Sequence, residues 1–168
     1  MVLCLIFSAI AAPAPGPTAT SDPHARDYRP YNDGVSGERY FQIHPGYDET
    51  KCLDVRESGY ADGTPVDIFD CNGTAAQNWV IQPGTTQVKV AGQNFCLDAG
   101  NPSNGLKMKI WTCYPGLPAQ TWYYTDDKRI ALKDQGYCLD LTNGNSANYE
   151  VMQVWKCTNG NTNQIWSV

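Results

Sequence analysis

This chain has little charge and almost no histidine. Asp, Glu, Lys and Arg make up 17% of its 168 residues, and His24 and His44 are the only imidazoles. No run of lysine or arginine occurs, the formal net charge is −5 and the pI is near 4.8. Such a surface lacks the basic patch that nucleic acid or an anionic membrane requires, so neither is an expected partner. Cys-x-x-Cys is missing and neither histidine stands beside a cysteine pair in sequence, which argues against zinc. No metal or cofactor is expected. Gly-x-Ser-x-Gly does not occur, and His44 has no Ser or Cys nucleophile near it in sequence. No apolar stretch reaches the roughly 18 residues of a membrane helix, so no membrane insertion is expected. No window carries a convincing 3.6-residue rhythm.

What the chain has instead is repetition. Cys52-Leu53-Asp54, Cys96-Leu97-Asp98 and Cys138-Leu139-Asp140 are followed by Gln77-Asn78-Trp79, Gln120-Thr121-Trp122 and Gln164-Ile165-Trp166. Both motifs keep a period of 42 to 44 residues, in phase (Cys 52, 96, 138; Gln 77, 120, 164). A repeat of this length marks an architecture in which one unit cannot bury its apolar face alone. Apolar residues at 42% are enough for one packed domain. The units are read as about 38–82, 83–125 and 126–168, together forming a domain over 38–168.

Residues 1–11 read as a signal peptide: an apolar run, Val2 to Ala11, too short to span a bilayer and ending in Ala9-x-Ala11. Its alternative is a buried N-terminal strand. Residues 12–37, rich in Pro, Gly, Ala, Ser and Thr, read as a disordered leader or propeptide. Cys4 falls in the leader, which leaves six cysteines, an even set that reads as a disulfide framework of a secreted, extracellular protein. Six cysteines allow 15 pairings. The repeat selects Cys52–Cys71, Cys96–Cys113 and Cys138–Cys157, each loop contributing roughly 3 kcal/mol in the chain-entropy model.

Twelve short β-type runs are expected: 39–44, 52–56, 65–70, 78–82, 87–90, 95–99, 107–112, 121–125, 129–132, 138–141, 151–156 and 164–168. Turn dipeptides such as Asp62-Gly63, Asn104-Gly105 and Asn143-Gly144 separate them. Four strands in each of three units predict an all-β, closed threefold structure without exposed sheet edges.

Three Cys-Leu-Asp…Cys…Gln-x-Trp units resemble the ricin B-type lectins. That resemblance, over about 38–168, implies a β-trefoil of three four-stranded repeats with pseudo-threefold symmetry: a six-stranded barrel capped by three hairpins, with one sugar site per unit. A sugar presents paired hydroxyls and an apolar ring face, which call for a carboxylate, amides and an aromatic ring. The resemblance supplies them at set positions. In the third unit these are Asp140, Gln153, Trp155 and Asn163, with Gln164 behind, and every position matches. In the first they are Asp54, Asp67, Phe69 and Gln77, with Ala76 where the family commonly has Asn. In the second they are Asp98, Lys109, Trp111 and Gln120, with Ala119 likewise. The first two sites are expected to be weaker by on the order of 1 kcal/mol, since each loses an amide contact.

Blander readings compete. Trp79, Trp122 and Trp166 read as core residues, and Gln77, Gln120 and Gln164 as structural hydrogen-bonders to backbone. The three Asp read also as turn caps, and Trp111 and Trp155 as ordinary strand residues. Asp54 with Asp67 is the one carboxylate pair that resembles a glycosidase's, but the third unit keeps its pocket with a single acid, so no catalysis is expected. The resemblance implies a lectin for galactose- or N-acetylgalactosamine-type glycans, acting mainly through the third unit, with a second copy of the chain as a further partner that would add multivalency. A module for xylan or another wall polysaccharide and a non-sugar β-trefoil protein such as a protease inhibitor are the alternatives. Asn72-Gly73-Thr74 is the acceptable N-glycosylation sequon, because Pro102 disqualifies Asn101.

Overall fold

The structure is a computed structural model and describes residues 31–32 and 37–168. The signal-peptide reading and nearly all of the leader lie outside the described residues. Within them the chain is built of short strands and 3-10 turns, and none of its helices is long and apolar enough to cross a membrane.

Each unit is organised around one hairpin. Lys51–Val55 pairs with Val66–Asp70, Phe95–Asp98 with Lys109–Thr112, and Tyr137–Asp140 with Gln153–Lys156, all antiparallel. The units join through further antiparallel pairs. Trp79–Val80 lies on Lys89–Val90, Trp122–Tyr124 on Ile130–Leu132, and Trp166–Ser167 returns to His44–Pro45. That last pair connects the end of the third unit to the start of the first and closes the structure.

Three backbone bonds complete the threefold. Val66 N–H donates to Met108 C=O (3.1 Å), Met108 to Met152 (2.8 Å), and Met152 back to Val66 (3.0 Å). These residues hold corresponding places, one before Asp67, Lys109 and Gln153, and all three are buried. The β-trefoil of three pseudo-equivalent units expected from the sequence is therefore the observed fold.

The repeated motifs are the internal joints of the fold. The Leu53, Leu97 and Leu139 side chains are inaccessible, as are Trp79, Trp122 and Trp166. Each indole Nε1–H donates to the carbonyl of its unit's leucine, at 2.9, 3.0 and 3.0 Å. A buried indole nitrogen needs such a partner, and this bond joins Cys-Leu-Asp to Gln-x-Trp in every unit. The tryptophans are core residues, as read from the sequence.

The three disulfides are Cys52–Cys71, Cys96–Cys113 and Cys138–Cys157. His44, distant from cysteines in sequence, comes within 3.7 and 3.6 Å of the Cys52 and Cys71 sulfurs. Its Nδ1 lies 2.8 Å from Lys51 C=O, an acceptor, so Nδ1 carries the hydrogen. The sulfurs are bonded to each other and are not thiolate ligands.

The strands are shorter than expected because 3-10 turns take their ends. Arg56–Ser58 ends the first strand early, and Thr162–Gln164 occupies the place where a strand from Gln164 was expected. The corresponding turns Ala75–Gln77 and Pro118–Gln120 likewise finish on the motif glutamine.

Candidate functional site

The three acids sit at one place in their hairpins, each opposite a different residue. Asp54 pairs in register with Asp67, Asp98 with Lys109, and Asp140 with Gln153. Two residues along, the aromatic residue stands opposite the first cysteine: Phe69, Trp111 and Trp155. Strand alternation puts acid, facing residue and aromatic on the same side of each hairpin.

Each motif glutamine is buried and fixes the loop of the second cysteine. Its Oε1 accepts from the N–H after that cysteine: Asn72, Tyr114 and Thr158, at 2.8, 2.9 and 2.9 Å. Its Nε2 donates to the carbonyl before that cysteine: Asp70, Thr112 and Lys156, each at 3.0 Å. The same amide reaches the acid, with Gln120 at 3.0 Å from Asp98 Oδ2 and Gln164 at 3.1 Å from Asp140 Oδ2. Gln77 bonds Asp54 in the same sense. The glutamines are thus structural and site-forming at once.

In the third unit Asp140 is buried at the base of the site. Its Oδ1 accepts from Gln153 Nε2 at 2.8 Å, and its Oδ2 from Asn161 Nδ2 and Gln164 Nε2, both at 3.1 Å. A carboxylate has about four lone-pair sites, so neutral amides orient this one and leave room on Oδ1. Trp155 stands beside it, 40% exposed. A large apolar ring left in water next to an oriented acid offers stacking and hydroxyl recognition together. Asp140, Gln153, Trp155 and Gln164 form one cluster. Asn163 makes no bond to Asp140; its Oδ1 lies 2.9 Å from where a Cβ on Gly144 would stand. Its backbone N–H instead donates to Asn161 Oδ1 (3.1 Å), capping the 3-10 turn.

In the second unit a cation meets the acid. Lys109 Nζ is 2.9 Å from Asp98 Oδ1, Gly100 N–H donates to the same oxygen at 2.8 Å, and Nζ lies 5.8 Å from the centre of the Trp111 ring. Trp111 is 36% exposed.

In the first unit two acids face each other. Burial raises Asp54, opposed by the bond from Gln77. Asp67 is wholly buried; desolvation raises it to about 6, against the hydrogen bond and charge of Arg56. Arg56 Nε sits 2.8 Å from Asp67 Oδ2, while Asp67 Oδ1 has no partner. Phe69 is half-buried and meets Tyr149 edge-on, with centroids 4.9 Å apart at 71°.

Residues 39–166 match the family model described as the ricin-type beta-trefoil lectin domain. The chain belongs to this family. Among solved structures this lectin domain is similar to a designed threefold-symmetric protein, ThreeFoil (23% identity, 76% of this chain and 95% of that one, TM-score 0.66). It is also similar to the C-half of an earthworm R-type lectin in complex with GalNAc (21%, 77% and 98%, TM-score 0.62). A third is the Macrolepiota procera ricin B-like lectin in complex with lactose (17%, 79% and 95%, TM-score 0.61). At these identities the likeness establishes the fold. Among curated proteins no sequence relative matches.

Two residues beside these clusters escape a reading of the motifs. Asn161, two before Asn163, is one of the three amides that donate to Asp140. Tyr149 reaches the first unit from the third. Its place is shared by Gly63 and Gly105, since the three backbone N–H groups donate to Ile68, Ile110 and Val154 C=O at 3.0, 2.9 and 3.0 Å. The residue before each also repeats. Asn148, Asp62 and Asn104 side-chain oxygens accept from the N–H of Asp70, Thr112 and Lys156 at 3.0, 2.6 and 2.8 Å. Each aromatic platform is therefore bracketed by the preceding unit's hairpin. The third unit's equivalent of Asp62-Gly63 is Asn148-Tyr149, not the Asn143-Gly144 dipeptide that a turn signal picks out.

Proposed function

We propose that the chain is a secreted lectin that binds galactose- or N-acetylgalactosamine-type glycans, chiefly through its third unit. The observation that carries this reading is Asp140 held by three neutral amides beside the exposed Trp155. Adjacent hydroxyls would donate to the carboxylate while the C–H face of the ring rests on the indole. The earthworm relative's complex holds GalNAc and the Macrolepiota procera relative's holds lactose, which supports this class of ligand. In the second unit Lys109 neutralises Asp98, and in the first the Asp67 carboxylate replaces an amide donor, so both are secondary. Binding of a monosaccharide by one acid and one ring is expected in the millimolar range, about −4 kcal/mol. Several units, or two copies of the chain, would raise it by multivalency.

Export to an oxidising compartment fits the three disulfides. Asn72 is exposed, and its Oδ1 accepts from Thr74 N–H (3.0 Å), which leaves its amide nitrogen open to glycosylation. No residue acts as a catalyst in this reading. A glycan array with galactose-terminated, GalNAc-terminated and xylan probes tests it. Retention of the first two is the expected result; retention of xylan alone, or of no glycan, overturns it.

A further inference from the structure

The first unit departs from the other two in three linked ways. Where they have an indole they also have a glycine from the neighbouring hairpin. A Cβ on Gly63 would lie 3.8 Å from Trp111 Cζ3, and one on Gly105 3.8 Å from Trp155 Cζ3. In the first unit the indole is replaced by the smaller Phe69 and the glycine by Tyr149. The exposure changes hands as well. Tyr149 is 52% exposed, more than Trp155 or Trp111, while Phe69 is half-buried beneath it.

Tyr149 is held in a backbone conformation that suits glycine. Its φ is 70°, where Gly63 and Gly105 have 90° and 85°. A bulky residue in the left-handed region costs backbone energy that glycine avoids, so the chain keeps this ring against a local penalty. It also secures it. Arg56 donates from a terminal nitrogen to Tyr149 C=O at 2.8 Å, and its guanidinium carbon lies 5.9 Å from the ring centre. Arg56 is itself fixed by Asp67 at 2.8 Å. Across the hairpin, the residue opposite Asp54 is an acid that, once ionised, supplies no donor, unlike Lys109 and Gln153. The lone pairs that those residues fill in their own units remain for a ligand's hydroxyls in this one.

We propose that Tyr149, carried by the third unit, is the sugar-stacking residue of the first unit's site: its ring, rather than that of Phe69, takes the apolar face of a pyranose whose hydroxyls bind Asp54. The proposal rests on the reading of the chain as a galactoside-type lectin and adds a residue from across a unit boundary. Tyrosine suits the role, with an apolar face for C–H groups and a hydroxyl for a neighbouring sugar oxygen. The first site is then a joint product of two units and is complete only when the trefoil is closed.

The test uses the full chain carrying Trp111→Ala and Trp155→Ala, so that the first unit is the one aromatic site left. This parent is titrated with methyl β-galactoside and with N-acetylgalactosamine while the ring signals of 13C-labelled tyrosine are followed by NMR. Residual millimolar binding that shifts the Tyr149 ring is expected. Tyr149→Gly should weaken it about tenfold, and Tyr149→Trp should keep it within about threefold. Glycine is the residue the fold already holds at 63 and 105, so Tyr149→Gly relieves the positive φ. Should it not fold, Tyr149→Asn, which tolerates the left-handed region, carries the same test. A residue that merely fills space over Phe69 would change the unfolding midpoint and leave the sugar titration where it was. Unchanged affinity in Tyr149→Gly, sugar-induced shifts that miss the Tyr149 ring, or no binding by the parent each overturn the proposal. The third-unit reading is judged separately, by the wild-type chain against Asp140→Ala.

Discussion

Gln164 ties the acid of the third site to the disulfide loop beside it: one amide nitrogen lies 3.1 Å from Asp140 Oδ2 and 3.0 Å from Lys156 C=O. Its oxygen meanwhile accepts from Thr158 N–H. A single wholly buried side chain thus joins the 3-10 turn, the end of the hairpin and the proposed sugar contact.

Gln164→Leu should therefore cost stability and affinity together. It takes the partner from the part-buried Thr158 N–H and Lys156 C=O, at about 1–3 kcal/mol for each one kept from water, and removes one of the three amides that hold Asp140. Denaturant unfolding should show a loss of about 1–3 kcal/mol, and lactose binding should weaken in parallel. Undiminished stability would contradict the structural half of this role.

Asp67 gives a pH signature. Burial lifts it to about 6 in the folded chain, against about 3.9 when unfolded. Between those values the folded chain binds more protons than the unfolded one, so this residue's contribution falls as pH rises from about 4 to 6. Full expression of the shift is worth no more than about 3 kcal/mol. Asp54, raised in the same direction by desolvation, adds with the same sign, whereas the lowered, solvent-facing Asp48 and Asp70 oppose it. The difference between the wild type and Asp67→Asn isolates the residue. Melting temperatures should show the wild type losing ground to Asp67→Asn as pH goes from 4 to 7. A constant difference would contradict this assignment.

Much of this was legible in the sequence because the signal was repeated. The period of Cys-Leu-Asp and Gln-x-Trp announced three equivalent units, and in each unit the same indole bonds a leucine carbonyl and the same glutamine bridges a cysteine loop. The pairing within each unit followed from the same repetition. What the motifs did not carry were departures from the repeat. Asn161 lies outside Gln-x-Trp, and the 3-10 turn that it caps, rather than the motif, brings it to Asp140. Tyr149 sits in a slot that reads as Gly elsewhere, and its significance depends on which unit's hairpin borders which platform. The 3-10 turns ending at Gln77, Gln120 and Gln164 have no periodicity to betray them.

In the proposed reading, Lys109 limits the second unit by occupying Asp98. A charge-assisted bond from an ammonium is stronger than one from a neutral amide, so an incoming hydroxyl competes poorly. Lys109→Gln recreates the facing pair of the third unit, Asp140 with Gln153. In a chain carrying Trp155→Ala, it should improve galactoside binding by on the order of 1 kcal/mol, about fivefold. Isothermal titration checks this; equal or weaker binding would show that Lys109 serves the ligand instead.

The central claim is that Asp140, steadied by Gln153, Asn161 and Gln164 beside the exposed Trp155, takes the hydroxyls of a galactoside. Titration of the full chain with lactose, wild type against Asp140→Ala, tests it most directly. Millimolar binding that disappears in Asp140→Ala while the melting curve still reports a folded trefoil is the predicted result. Lactose affinity that survives the loss of this carboxylate would contradict it.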